Sequence, residues 1–155
     1  MDERFYEDIS IGDTYRSETG RTITDNDNIW FTLITNNSNQ IHFNRDYTEK
    51  NYSSEPFNGR LVVNGMFTMA VVVGLSVEYT SKNGFMLGID NVKFKKPVFA
   101  GDTLYAKIEV IEKRESKSHH GFGIIGIKTT GINQNSEEIL EMTRLFMIPM
   151  RNNKW

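Results

Sequence analysis

The stretch VNGMFTMAVVVGLSVEY, Val63 to Tyr79, decides the fold. Met66, Phe67, Met69, Ala70, Val71, Val72, Val73, Leu75 and Val77 put apolar side chains almost all round a helix. Such a helix must be buried on most of its sides. The β-branched run Val71-Val72-Val73 keeps a strand open as a local alternative. Asn64, Thr68 and Ser76 interrupt the apolar run, which is too short and too mixed to cross a membrane.

Downstream of Gly84 the apolar period changes to two. Phe85 to Phe94, Thr103 to Lys113, Phe122 to Ile132 and Ile139 to Ile148 read as strands, separated by Pro97, Gly101-Asp102 and the turn Asn133 to Ser136. Upstream, Thr14 to Ile23 reads as a first strand. Thr24 can cap a helix whose first turn carries Asp25 and Asp27 and whose apolar positions are Ile29, Trp30, Leu33 and Ile34. Asn36 to Gln40 reads as a loop, because these side chains compete for backbone hydrogen bonds. Residues 45–52 suit a short polar helix, and 53–60 a loop. The economical packing is α+β: one domain, 1–155, with an antiparallel sheet of five or six strands wrapped around one long buried helix at about 63–79. One helix on one sheet leaves a strand edge and apolar helix surface uncovered, and a homodimer that continues the sheet would cover both.

The bulk composition narrows the classes. Lys and Arg number 18 against 20 Asp and Glu, for a net charge of −2. No basic field points to nucleic acid or an anionic membrane. There is no cysteine, which excludes disulfides, thiolate zinc sites and cysteine nucleophiles. The beginning MDERFYEDISIGD is acidic and lacks the apolar segment of a secretory signal, so a cytoplasmic protein is expected.

Three landmarks then stand in order along nearly the whole chain. They are Asn36-Asn37-Ser38-Asn39-Gln40-Ile41-His42, Asn64-Gly65-Met66 at the head of the helix, and Lys95-Lys96-Pro97-Val98-Phe99-Ala100-Gly101-Asp102. Together they resemble the MaoC-like, R-specific enoyl-CoA hydratase family. In that family the first landmark reads roughly Gly-Asp-x-Asn-Pro-(Ile/Leu/Val)-His, the second His-Gly-Met and the third Lys-x-Pro-Val-Phe-x-Gly-Asp. The wider text is similar to the branch holding mesaconyl-CoA hydratases (β-methylmalyl-CoA dehydratases) and itaconyl-CoA hydratases. Trp30-Phe31-Thr32-Leu33, Val72 to Val77 and Glu112 to Ser118 carry that likeness. The resemblance implies a hot-dog fold, an acyl-CoA thioester substrate, reversible hydration, and no cofactor beyond the CoA of the substrate. Three positions depart from the pattern: Asn37 replaces the family's catalytic Asp, Gln40 its Pro, and Asn64 its His.

Hydration of an enoyl thioester needs a base for water, a proton donor at the α-carbon and a stabiliser of the enolate oxygen. His42 suits acid–base work near neutral pH. Asn37 cannot be a base, but it can hold the water or fix the ring of His42 by hydrogen bonding. Gly65, at the positive end of the helix, has a backbone N–H suited to an oxyanion and no side chain to block a carbonyl. Asn39 is read as a brace of the loop, and Asn64 as either a cap or a substrate contact. Met66, Phe43, Trp30, Phe31 and Phe67 are read as core or acyl-pocket lining. Arg114 and Lys117 are candidates for the CoA phosphates, as are Lys93, Lys95 and Lys96. The pair His119-His120 would point to opposite faces of a strand, which argues against a metal site. Two other functions fit the same scaffold: a thioesterase, disfavoured because no acidic residue lies between Leu61 and Val77, and a non-catalytic acyl-CoA or acyl-carrier binder, favoured by Asn37.

Overall fold

Alternating apolar side chains draw the second half of the chain into one antiparallel sheet. The computed structural model describes residues 3–80, 83–153 and 155. Its strands are β1 (Thr14–Arg16), β2 (Arg21–Thr22), β3 (Phe85–Phe94), β4 (Thr103–Glu115), β5 (Phe122–Ile132) and β6 (Glu138–Pro149). Its helices are α1 (Asp25–Ile34), α2 (Arg45–Asn51) and α3 (Gly65–Thr80), with 3-10 turns at Tyr6–Asp8 and Gln40–His42. The strand order is β1-β4-β5-β6-β3, and β2 also pairs with β4. The antiparallel sheet, with one long helix laid on it, is the hot-dog arrangement.

The single strand expected over Thr14 to Ile23 is broken into β1 and β2. Both pair with β4, at Arg16 opposite Lys107 and Arg21 opposite Leu104. Between them Ser17 holds Ala106 through both its backbone and its hydroxyl, which accepts the Ala106 N–H at 3.0 Å. Residues 18–20 loop out of the ladder at that point.

The run Val71-Val72-Val73 lies inside α3, so the strand alternative falls away. The helix starts at Gly65 rather than 63, because the Val63 N–H bonds instead to the Val98 carbonyl at 2.8 Å. One face of α3 meets β4 and β5 through Thr68, Val72, Ser76 and Thr80, all buried. The opposite stripe, Met66, Ala70, Gly74 and Val77, is open, with Met66 55% and Val77 44% exposed. Burial on most sides is therefore not met within one chain. β3 has the same character: Phe85, Met86, Leu87, Val92 and Phe94 are exposed, and its outer edge carries no partner strand among the described residues.

α1 inverts the expected orientation. Its buried residues are polar, Asn28 and Thr32, while Trp30, Leu33 and Ile34 face outward. Thr24 caps it, accepting the Asp27 N–H at 3.2 Å, and Asp27 returns a bond to the Thr24 N–H at 2.9 Å.

Two apolar clusters fill the space between α3 and the sheet. Val72, Leu104, Ala106, Ile139, Leu140 and Met142 centre one, and Tyr79, Ile108, Ile125, Ile127, Phe146 and Ile148 the other. A polar layer separates them: Arg144, 4% exposed, donates from Nε to Thr129 Oγ1 at 3.0 Å and from Nη2 to Ser76 Oγ at 2.5 Å. No helix among the described residues is long and apolar enough to cross a membrane.

Gly131 sets how closely α3 approaches β5. A Cβ there would stand 2.7 Å from a Val72 methyl and 3.1 Å from Leu140. A Gly131→Ala variant is expected to lose about 1–3 kcal/mol by overpacking, read as a lower urea midpoint at unchanged slope.

Candidate active site

The polar face of α1 organises the site. Asn28, only 1% exposed, lies where three segments meet. Its Nδ2 donates to the His42 carbonyl at 2.8 Å and to the Val62 carbonyl at 3.1 Å, and its Oδ1 accepts the Asn64 N–H at 2.8 Å. The carboxamide is thus fully used on backbone groups, and it clamps the His42 turn, the segment before α3 and the start of α3 together.

His42 ends the 3-10 turn Gln40–His42, whose cap is Asn39 accepting the Ile41 N–H at 3.3 Å. The ring nitrogen Nδ1 lies 2.7 Å from the Val62 carbonyl oxygen. A carbonyl only accepts, so Nδ1 carries the proton and Nε2 is left with a free lone pair. The ring is therefore oriented by main chain, and the expectation that Asn37 fixes it is corrected. Among the described residues Asn37 makes no hydrogen bond to His42. Its Oδ1 accepts the Asn39 N–H at 2.9 Å, and no described group accepts from its NH₂.

His42 and Gly65 line one cavity of about 290 Å³, with Val62, Thr68, Phe94 and Pro97 among its walls. Gly65 opens α3, and no described group accepts its N–H. Asn64 caps the helix, its Oδ1 accepting the Met66 N–H at 3.0 Å, so of its two expected roles the structure assigns the cap. A Cβ at 65 would stand 3.1 Å from the Phe94 ring, which would have to shift to admit it. The result is a proton acceptor and a helix-end donor facing one space, the pair that acid–base chemistry beside a carbonyl needs.

The third landmark buttresses this cavity. Gly101 takes φ +97 and Asp102 accepts the Phe99 N–H at 2.9 Å, forming a tight turn. That turn presents the Val98 carbonyl to Val63 and bridges Phe99 to Val62. Lys95 and Lys96 border the cavity but are engaged in ion pairs, Lys95 with Glu138 (2.6 Å) and Glu141 (3.1 Å), Lys96 with Glu137 (2.5 Å).

The remaining candidates are dispersed. Phe43 is half-buried beside His42, and Met66 projects from the open stripe of α3. Arg114 pairs with Glu112 at 2.8 Å at the far end of β4, and Lys117 lies exposed in the turn beyond it. That end is about 36 Å along the strand from Thr103 at 3.3 Å per residue, so one chain does not bring these cations to its own His42. His119 and His120 lie in that turn rather than on a strand. No cluster of three or more His, Asp or Glu among the described residues could hold a metal ion. A wider depression of about 410 Å³ on the outer sheet face is lined by Arg16, Lys107, Glu109 and Lys128. Its lining holds neither a histidine nor a helix N-terminus, whereas the smaller cavity holds both. Sequence reasoning missed Asn28, Thr32 and the Val62 carbonyl. The available signal was Asn28 and Thr32, polar residues at i and i+4 that flank the apolar run Ile29-Trp30-Phe31.

The antiparallel sheet, the long helix and the loop histidine at the helix head define a hot-dog protein. The chain belongs to the MaoC like domain family, which matches residues 8–131. It is 29% identical over 150 residues to mesaconyl-CoA hydratase of Haloarcula marismortui, covering 95% of this chain and 40% of that protein. It is 29% identical over 154 residues to β-methylmalyl-CoA dehydratase of Chloroflexus aurantiacus, covering 96% of this chain and 41% of that one. In structure it superimposes with a TM-score of 0.83 on a conserved hypothetical protein of Mycobacterium tuberculosis that has a double hotdog fold, at 20% identity, covering 99% of this chain and 46% of that one. The chain thus spans about two fifths of the length of the curated relatives it matches.

Two outcomes follow from the clamp. Nitrogen-15 spectra of the neutral His42 ring are expected to show Nδ1 protonated and Nε2 bare. Asn28→Ala strands the His42 carbonyl and the Asn64 N–H and leaves the Val62 carbonyl only its bond from His42 Nδ1, at about 1–3 kcal/mol for each stranded group that water does not reach, and is expected to lower the melting temperature and weaken that tautomer preference.

Proposed function

We propose that the protein reversibly hydrates an enoyl-CoA thioester, with a branched dicarboxylic acyl group such as mesaconyl or itaconyl as substrate, and that it works as a homodimer in the cytoplasm. The carrying observation is the contact of His42 Nδ1 with the Val62 carbonyl, which leaves Nε2 of the neutral ring as the acceptor, in a cavity shared with Gly65. In this reading Nε2 takes a proton from water as the hydroxyl oxygen bonds to the β-carbon. The enolate oxygen that develops accepts the Gly65 N–H at the positive end of α3. The imidazolium then returns the proton to the α-carbon, so His42 serves both directions. The names of the relatives in mesaconyl-CoA and β-methylmalyl-CoA chemistry support the acyl class.

Asn37 fits the same class. Its Oδ1 is occupied by the Asn39 N–H, and in this reading its NH₂ donates to the carboxylate of the substrate. A carboxylate there would face the carboxylate of a diacid substrate; at ~5 Å and an effective dielectric of ~20 the repulsion is about 3 kcal/mol. The open stripe of α3 and the unpaired edge of β3 support a second copy of the chain as the covering partner.

The test is to incubate the protein with mesaconyl-CoA, itaconyl-CoA and crotonyl-CoA and follow mass. Gain of one water is expected, with His42→Ala losing at least about 100-fold. Release of free CoA instead would establish a thioesterase, and binding without turnover a carrier. Asn37→Asp is expected to cut the mesaconyl-to-crotonyl preference by up to about 100-fold; an unchanged ratio would remove the role given to Asn37.

A further inference from the structure

Phe94, at the end of β3, stands over the head of α3. Its ring atoms lie 3.1, 3.2 and 3.5 Å from the point where a Cβ on Gly65 would be, and it lines the His42 cavity together with Gly65. Yet it belongs to neither apolar cluster beneath α3 and is 52% exposed. A phenyl ring left half in water adds little to the fold, so core packing does not account for its place.

The backbone puts it there. Asp90 pairs with Thr143, and a regular ladder from that point would set Lys93 opposite Leu140. Instead Lys93 pairs with Glu141 and Phe94 with Leu140, so β3 carries one extra residue in between, where Asn91 takes φ +54. One inserted residue exchanges the faces of the side chains that follow it. Leu140 is fully buried in the cluster beneath α3, whereas Glu141 belongs to the ion pairs of the outer face. Directly opposed residues share a face, so the bulge turns Lys93 out to solvent and Phe94 in toward Gly65. A regular ladder would have sent the lysine to the inner face instead.

We propose that Phe94 sets specificity at the acyl α-carbon, its ring being the surface on which an apolar branch there packs. This rests on the hydratase reading above, in which the carbonyl oxygen of the thioester accepts the Gly65 N–H. The α-carbon then lies two bonds from that oxygen, beside the ring that covers Gly65. Val62, Pro97 and Val98 add apolar walls to the same cavity. The exposed ring face makes the contact attractive. A ring enclosed in a core has no surface left to offer, whereas this one loses apolar area to water until a methyl lies on it. The selection acts on branching and is independent of charge at the far end of the acyl group.

The test measures kcat/KM on two pairs of thioesters, 2-methylcrotonyl-CoA against crotonyl-CoA and 2-methylfumaryl-CoA against fumaryl-CoA. Within each pair the members differ only by the α-methyl. Phe94→Ala is expected to lower the methylated-to-unmethylated ratio about tenfold relative to wild type, the scale of one methyl in an apolar pocket. Phe94→Leu, which keeps apolar bulk without the flat ring, is expected to lower it by less. Both members of a pair report on the same folded protein, so loss of stability cannot move the ratio. A ratio that rises in Phe94→Ala would make the ring a barrier to branching, and equal losses on both members would make it purely structural; either result overturns the proposal. A wild type that hydrates the unbranched members but neither methylated one overturns the Phe94 proposal alone. A wild type that hydrates none of the four overturns the hydratase reading itself.

Discussion

The carboxamide of Asn28 is the constraint on which the rest of the site depends. Three segments far apart in sequence, the His42 turn, the strand-like stretch at Val62 and the head of α3, each present one backbone group to it. None of the three has a regular ladder of its own at that point, so the His42 carbonyl and the Asn64 N–H would otherwise lack a protein partner, and the Val62 carbonyl would keep only the His42 ring. A single side chain with two donors and one acceptor satisfies all of them, and no other residue of its size could. The turn at Gly101-Asp102 secures the same stretch from the opposite side through Val98 and Phe99. Side-chain chemistry in the cavity is therefore built on backbone held from both flanks.

Much of this architecture is legible in the sequence, for physical reasons. The four long strands announce themselves because a period of two on a half-buried sheet leaves few alternatives, and α3 because no other element tolerates so dense an apolar run. The landmark at Lys95 to Asp102 was readable because a tight turn needs its glycine and its capping aspartate. The internal layout of the site was less legible. Apolar spacing in α1 picked out Ile29, Trp30, Leu33 and Ile34, yet only Ile29 is partly buried and the helix turns Asn28 and Thr32 inward, because satisfying buried backbone outweighs burying a few more methylenes within one chain. The hydrogen bond that orients His42 comes from a carbonyl, and a carbonyl leaves no trace in residue identity. Thr14 to Ile23 read as one strand because β-propensity does not register that Ser17 can stand in for the ladder.

The faces left open by one chain form a pattern rather than a scatter. The outer stripe of α3, the outer edge of β3 and the outward face of α1 each expose large apolar side chains, and Phe94 of β3 lines the cavity itself. The charged outer face of the sheet differs, since Lys95, Lys128, Glu138 and Glu141 neutralise one another there. Exposed pairs of this kind add little stability, but they keep that face wet and leave the other as the sticky side of the molecule.

The bond from His42 to the Val62 carbonyl has a consequence for how such a site can diversify. Its acceptor belongs to the main chain, so no point substitution can delete it while the segment keeps its path. The position five residues before the histidine is thereby released from any duty to aim the imidazole. An acid, an amide or another polar group can occupy it, and the proton acceptor keeps its tautomer. If His42 is the base proposed above, a lineage can change residue 37 without first repairing it, which separates the inheritance of reactivity from the exploration of new substrates.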